Sequence, residues 1–514
     1  MLIVVLVLTG LFMTLSMGAI GLSLMQQKLN RTKVASTQAI HIAEAGVNYY
    51  RWVLYHENEE YCNNEACQAA PDYGPYGPYE YKDSSGQNIS GYYELYITPP
   101  ATNGSNIVKI RSVGWTADYP GVKRTIEVQC GIPSWSNFSS LSNSIIRFGA
   151  GTEVWGPIHS NNGIRFDGVA HNIVSSSILD YDDPDHDENP TDVIEFGVHT
   201  HDDAGLGTYN TDEISDGSNP PNPPDQSDIF QAGRQFPIPV VSFDLLDNYI
   251  NSSYQKATTS GFVIDPRAVG TADPSSNSNY WNCINNTCDE GLHITLKTNN
   301  TFDVKKVSAV RPDCNNNPSP NSPSWSIATE DLIAQNYPIP ANGIIFIKHH
   351  VWVDGQINNS KVTILAFTEP FEGDTANIIT NNDLLYTNHD GTDSIGLIAQ
   401  NNIGPGLFSE GSLSGADDEE LRIEAALIAK TGRVGREYYK TSCSNEYHKR
   451  NIITIYGSMS TKERYGFSYS CGGSNNWCSG YDIRNIIYDN NLTYNPPPNY
   501  PTTGEYTFIS WKEE

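Results

Sequence analysis

The sequence predicts a mainly β protein led by one long α-helix, and three observations predict it. Residues 2 to 27 carry no charge, and the helical pattern they begin runs on without proline to Glu60. Segments between Gly91 and Cys130 alternate apolar and polar residues, as half-buried strands do. From Pro133 onward short apolar runs recur, each closed by Gly or Asn. The expected organisation is an apolar half-helix over 1–27, an amphipathic half over 28–58, a small antiparallel β region over 59–132, and a large β-domain over 133–514 with insertions near 180–228 and 265–323.

The helix comes first. The predominantly apolar run from Leu2 to Met25, about 24 residues, is long enough to cross a hydrocarbon core of about 30 Å. A single rod to about His56 would be roughly 80 Å long at ~1.5 Å per residue, more than a simple anchor needs. A cleaved signal peptide would have a charged start, a shorter apolar run and a small-residue cleavage site, none of which is evident. A plain anchor places Lys28, Arg31 and Lys33, and the cysteine-bearing bulk behind them, in the cytoplasm. The favoured reading is a helix that leaves the bilayer and packs against copies of itself, with Ala35, Ala39, Ala43 and Gly46 as the small residues that let helices approach.

The apolar start, the polar stretch after it and the run Gln38-Ala39-Ile40-His41-Ile42-Ala43-Glu44-Ala45-Gly46 resemble the N-terminal segment of type IV pilin-like proteins, the PilX-type minor pilins most of all. In that family a short basic leader is removed and the apolar N-terminus stays in the inner membrane until assembly. The resemblance implies a mature or truncated start here, since Ala43 to Gly46 lie about as far from Met1 as the family's turn lies from its cleavage point. Residues 1 to 10, MLIVVLVLTG, lack the glutamate of major pilins, which favours a minor subunit. The strands expected over Gly91–Ile97, Asn106–Thr116 and Val122–Cys130 follow in the family's order.

Behind this segment the runs IIRFGAG, GIIFIKHHVWVDGQINN, KVTILAF, IGLIAQNNIG and IITIYGSMST suggest stacked strand-turn units. GLIAQNNI at 396–403 aligns with ALIAKTGRV from Ala426, and ITIYGSMST from Ile453 follows at a similar interval. A right-handed parallel β-helix is the expected architecture, with an antiparallel β-sandwich as the alternative. IHSNNGIRFDG and the C-terminal segment also resemble the large β-domain that some PilX-like proteins carry.

Composition narrows the function. A net charge of −28 disfavours binding to nucleic acid phosphate, so no nucleic acid partner is expected. Of nine cysteines, six fall in close pairs, Cys62 with Cys67, Cys283 with Cys288 and Cys471 with Cys478, which suits disulfides in an oxidising compartment. Zinc is the weaker reading of these pairs, because their spacing is not that of paired zinc knuckles.

Candidate chemistry is sparse. Asp183, Asp185, Asp187 and Asn189 alternate oxygen ligands that would suit calcium, although the loop lacks an EF-hand's glycine and closing glutamate, and a solvated acidic loop is the plainer reading. His199 and His201, followed by Asp202 and Asp203, fall on one face of a strand, but with no third ligand identified a loop with incidental histidines is the plainer reading. No G-x-S-x-G, H-E-x-x-H or Walker motif occurs. Tyr73, Tyr76, Tyr79, Tyr81, Tyr494, Tyr500 and Tyr506 lie in Pro- and Gly-rich segments that would serve to dock a partner or staple loops.

Together these readings give the expectation of a non-enzymatic minor pilin-like subunit of a type IV pilus-like filament. It would be tip-located or assembly-priming, held in the inner membrane before assembly and then exposed on the cell surface. Its partners would be other pilin subunits, with a surface glycan or host-cell target for adhesion. The alternative is a membrane-anchored β-helix enzyme that cleaves polysaccharide with paired carboxylates.

Overall fold

A computed structural model describes the chain except for residues 58–59, 101–106, 185–193, 202–212, 265–289, 312–323, 410–419, 442–446, 472–476, 494, 503–505 and 514. The chain forms two units, one of 1–101, 106–133 and 504–514, the other of 102–105 and 134–503.

The first unit is one helix on one antiparallel sheet. Helix α1 spans Leu2–His56 without a break. Strands β1 (Tyr76–Lys82), β2 (Ile89–Thr98), β3 (Ile107–Thr116) and β4 (Lys123–Gly131) pair in sequence order. Period-2 alternation turns Tyr93, Leu95 and Ile97 of β2, Val108 and Ile110 of β3, and Ile126 and Val128 of β4 to one face. Ile42, Val47, Tyr50, Val53 and Leu54 of α1 pack on that face.

Small residues set how closely helix and sheet approach. A Cβ on Gly114 would lie 2.5 Å from both the Ala39 oxygen and the Ala43 nitrogen, and one on Gly46 would lie 2.4 Å from Ser112 Oγ. Ala35, Ala39, Ala43 and Gly46, expected to face neighbouring helices, are therefore buried within their own head. This corrects their assignment: the small residues admit the helix to a sheet of the same chain. A charged side chain at position 39 would disturb the head itself.

The sheet holds one strand that the expected boundaries misplace. Thr507–Glu513, assigned from sequence to the large β-domain, pairs antiparallel with β4, Phe508 opposite Cys130 and Trp511 opposite Val128. Arg51 of α1 holds it from the other side, its guanidinium 4.8 Å from the Phe508 ring centre and its Nε donating to the Tyr506 carbonyl at 3.3 Å. The Cys62–Cys67 bridge forms in this unit, and the Cys130 thiol is buried and free, with burial raising it to about 12.

The second unit is β-rich and built largely on stacked parallel strands, with antiparallel pairs such as Gly291–Lys297 with Thr301–Val310 beside them. One ladder joins, in spatial order, Phe262–Ile264, Ile344–Ile347, Lys361–Ala366, Ser394–Ala399, the end of Glu420–Ala429, the end of Lys449–Thr461, Ser140–Ser142, Ile158–Ser160, Val174–Ser176 and Arg234–Gln235. GLIA at 396–399 lies in register on ALIA at 426–429, as the internal match anticipated. The third copy is offset, because Ser458 rather than Ile453 lies opposite Ala426. Alternation sends Ile345, Ile364, Leu397, Leu427 and Met459 into the interior and turns Phe346, Leu365, Ile398, Ile428 and Leu141 outward.

The spatial order shows that the chain enters this stack in its middle. It climbs from Ser140 to Gln235, returns to the far end, and climbs again from Phe262 until Met459–Thr461 pairs with Ser140–Ser142. Helix α2 (Leu245–Ser260) makes the return. At ~1.5 Å per residue it is about 24 Å long, close to five steps of ~4.8 Å. Its buried face, Leu246, Ile250, Ser253 and Ala257, belongs with the outward residues of the ladder from Leu141 to Ile344. Asp247 is fixed to Lys430 at 2.8 Å, and Asn342 donates to the Lys256 carbonyl at 3.2 Å and to Ser260 Oγ at 3.0 Å. Cys471–Cys478 is bridged, whereas Cys283 and Cys288 lie outside the described residues.

The seam of the first unit is testable. In the full chain in detergent, Gly114→Leu should lower stability by roughly 1–3 kcal/mol or more through overpacking against helix backbone. Gly121→Ala, where an added Cβ meets nothing within 4 Å, should change little. Equal thermal unfolding of the two variants would contradict the close approach.

Candidate functional site

The helix surface presents the first candidate. From Met1 to Val34 every residue is exposed except half-buried Ser16, and burial begins at Ala35. The most apolar part has a mean hydropathy of 2.3 and none of it is buried within the chain. A helix apolar on all sides is stable only in a core or a membrane. The other half is divided between the buried seam and an outer face where Trp52 and Tyr55 remain exposed. One continuous rod thus joins a docked segment to a bare apolar one.

The tyrosines expected on exposed loops mostly act as staples. Tyr76, Tyr500 and Tyr506 are buried, Tyr73, Tyr79 and Tyr81 are half-buried, and Tyr494 lies outside the described residues. Tyr79 accepts from Asn63 Nδ2 at 2.6 Å and donates to Glu65 at 2.5 Å, tying the disulfide loop to β1.

A pocket of about 260 Å³ in the second unit is lined by His293, Arg311, Ser326, Glu330, Asn381 and Phe408, among others. Strand Gly291–Lys297 carries His293 between the antiparallel strands after it and the parallel strand Val351–Ile357. The imidazole is bonded on both sides, Nδ1 to Glu330 at 2.6 Å and Nε2 to Asp354 at 2.8 Å. Lys305 also pairs with Glu330, and Asn381 donates to Asp354 at 2.9 Å. Burial works against a charged His293, but the hydrogen bonds to Asp354 and Glu330 outweigh it and push the ring up to about 9. The same contact holds Glu330 below its ordinary range, and it lowers Asp354 despite the burial that opposes ionisation there. The trio is ionised at neutral pH. It can fix a polar ligand or the fold around it, while general acid–base work needs a group poised near the working pH.

The third candidate gathers residues that are apart in the sequence. Asp183, His199 and His201 are all buried, and one ligand atom from each lies within 4.8 Å of the others. His199 follows Val198 in a short strand parallel to Ile164–Phe166, opposite Arg165. Thr200 N–H donates to Glu213 at 3.1 Å and His201 N–H to Asp167 at 3.0 Å, which fixes the backbone bearing both imidazoles. Arg165 donates to Asp167 at 2.9 Å and to Asp183 at 3.4 Å. Burial, then Arg165 and His199, lowers His201 to about 4. Sequence reasoning named Asp183 and the two histidines separately; the third ligand was missed because it lies on the far side of an insertion. Asp185, Asp187 and Asn189 lie outside the described residues.

No protein-family model matches the chain, and no curated protein matches it. Among solved structures, the crystal structure of the competence-associated pilin ComZ from Thermus thermophilus aligns over 93% of this chain and 97% of that one, with 13% sequence identity and a TM-score of 0.28. That score is below what two proteins of one fold share, so the likeness adds nothing to the fold described above.

His293 gives a pH signature. Its raised value means that its contribution to stability is complete below its ordinary 6.5 and is lost as pH rises through about 9. The lowered carboxylates contribute above their ordinary values and lose that contribution as pH falls. The melting temperature of the protein should therefore exceed that of His293→Gln most near pH 5 to 6.5, with the gap closing as pH passes about 9. A gap that widens toward alkaline pH would contradict the ion pairing.

Proposed function

We propose that the chain is a non-enzymatic, pilin-like subunit of a type IV pilus-like filament. The observation that carries this reading is the continuity of α1: its second half is docked on the first unit's sheet, while its apolar first half has no cover within the chain. Such a segment needs a partner that is apolar all round, which a bilayer supplies before assembly and the helices of other subunits supply after it. The resemblance of Gln38 to Gly46 to PilX-type minor pilins points the same way.

Residues 2 to 25 hold the protein in the inner membrane until it enters a filament, and the two units lie outside the reducing cytoplasm, in keeping with the bridges Cys62–Cys67 and Cys471–Cys478. The bulk of the second unit suits a tip or priming position better than a repeating shaft, with an adhesive contact to a surface glycan or host cell as its outward role. The polysaccharide-enzyme reading has less support, because Glu330, the carboxylate that lines the pocket, is tied to a charged His293.

Incorporation into filaments tests the reading. Wild-type chain should appear both in the membrane fraction and in filaments sheared from cells. A Leu11→Asp, Leu15→Asp variant should keep its folded units but be lost from the sheared fraction, since each acid costs about 2.5–3.5 kcal/mol at the centre of an apolar span. Absence of the wild-type chain from sheared filaments, or undiminished incorporation of the variant, would overturn it.

A further inference from the structure

We infer that Asp183, His199 and His201 form a binding site for a divalent transition metal of the zinc class. His199 carries the argument. The ring is fully buried, and its Nδ1 faces the Phe196 carbonyl at 3.3 Å, a contact that places the proton on Nδ1. Its Nε2 then bears a lone pair, has no hydrogen-bond donor among the described residues, and faces Asp183 Oδ2 at 3.6 Å. Two lone pairs directed at each other in a buried site repel unless a cation or a proton lies between them.

The surroundings fit the cation. A metal-bound imidazole commonly donates its other N–H to a backbone carbonyl, as His199 does to Phe196. His201 stands two residues along, on the same side, with its backbone held by Asp167. The Arg165 guanidinium also reaches Asp183, but Asp167 holds it more closely. Two nitrogens and one carboxylate oxygen suit zinc and its neighbours, whereas calcium is bound by oxygen ligands alone. Asp183 precedes the acidic stretch 185–193, and His199 and His201 precede 202–212. A cation here would fasten the base of this insertion to the parallel stack.

The test uses the full chain in detergent. After treatment with a chelator, zinc should rebind at one equivalent and raise the melting temperature, while calcium and magnesium at the same concentration should not. X-ray absorption of the zinc-loaded protein should show nitrogen and oxygen at about 2.0–2.1 Å with the outer-shell scattering of two imidazoles. His199→Gln and His201→Gln should each weaken zinc binding by more than the roughly 10- to 100-fold expected of an outer-shell change. Because the absorption experiment is made on the unaltered protein, it stands even if a variant misfolds. Failure of the stripped protein to bind zinc would overturn the inference in favour of a protonated His199 paired with Asp183. An all-oxygen shell, or a calcium response equal to that of zinc, would overturn it as well.

Discussion

The parallel hydrogen bonding of Met459–Thr461 to Ser140–Ser142 is the contact on which the second unit depends. Without it each of the two climbing runs would end in an open strand edge, with unpaired backbone groups and interior aliphatic residues exposed together. With it, Met459 continues the interior column of Leu427, Leu397, Ile364 and Ile345, and that column passes on through Ser140 to Ile158 and Val174. A second ladder is sealed at the same level, where Ile486 lies opposite Val154. The chain must therefore travel back along the stack, and α2 covers about five of the nine steps between Arg234–Gln235 and Phe262–Ile264. The outward column shows the same fit. It is apolar from Phe346 to Ile428 and at Leu141, where α2 covers it, and becomes polar at His159 and Ser175 beyond the helix.

The first unit solves a different problem, that of holding a helix rigidly by only part of its length. Close approach at Ala39, Ala43, Gly46 and Gly114 removes the room in which the helix could rock, and the strand Thr507–Glu513 secures the sheet edge beside β4. The restraint ends at Ala35. Ahead of it the helix is exposed, mainly polar from Gln26 to Lys33 and apolar before that, and the apolar part suits a segment that exchanges one apolar environment for another.

Much of this was legible in the sequence where a pattern is local. The uncharged run from Leu2 to Gln27, the alternation of β2 to β4 and the GLIA/ALIA match each state a period or a register directly. The failures share a cause in non-local pairing. ISWKEE alternates weakly and has its partner in β4, so nothing near it reveals the sheet it joins. Helix α2 has a stripe of only Leu246, Ile250, Ser253 and Ala257, in a stretch rich in Asn, Ser and Thr, so nothing local sets it apart from the β-domain expected around it. Ala35, Ala39 and Ala43 mark a close-approach surface by their size, but small residues do not say whether a helix or a sheet comes near. Likewise the spacing of His199 and His201 gives a common face and says nothing of Asp183, which only the return of the chain after 185–193 brings beside them.

The central claim is that residues 2 to 25 are covered by something other than their own chain, first lipid and then the helices of neighbouring subunits. The most direct measurement is photo-crosslinking from a probe amino acid at Phe12 in intact cells. The account predicts adducts with lipid in the membrane fraction and with the N-terminal helices of other subunits in filaments. Adducts confined to this chain's own two units, or to soluble proteins, would contradict it.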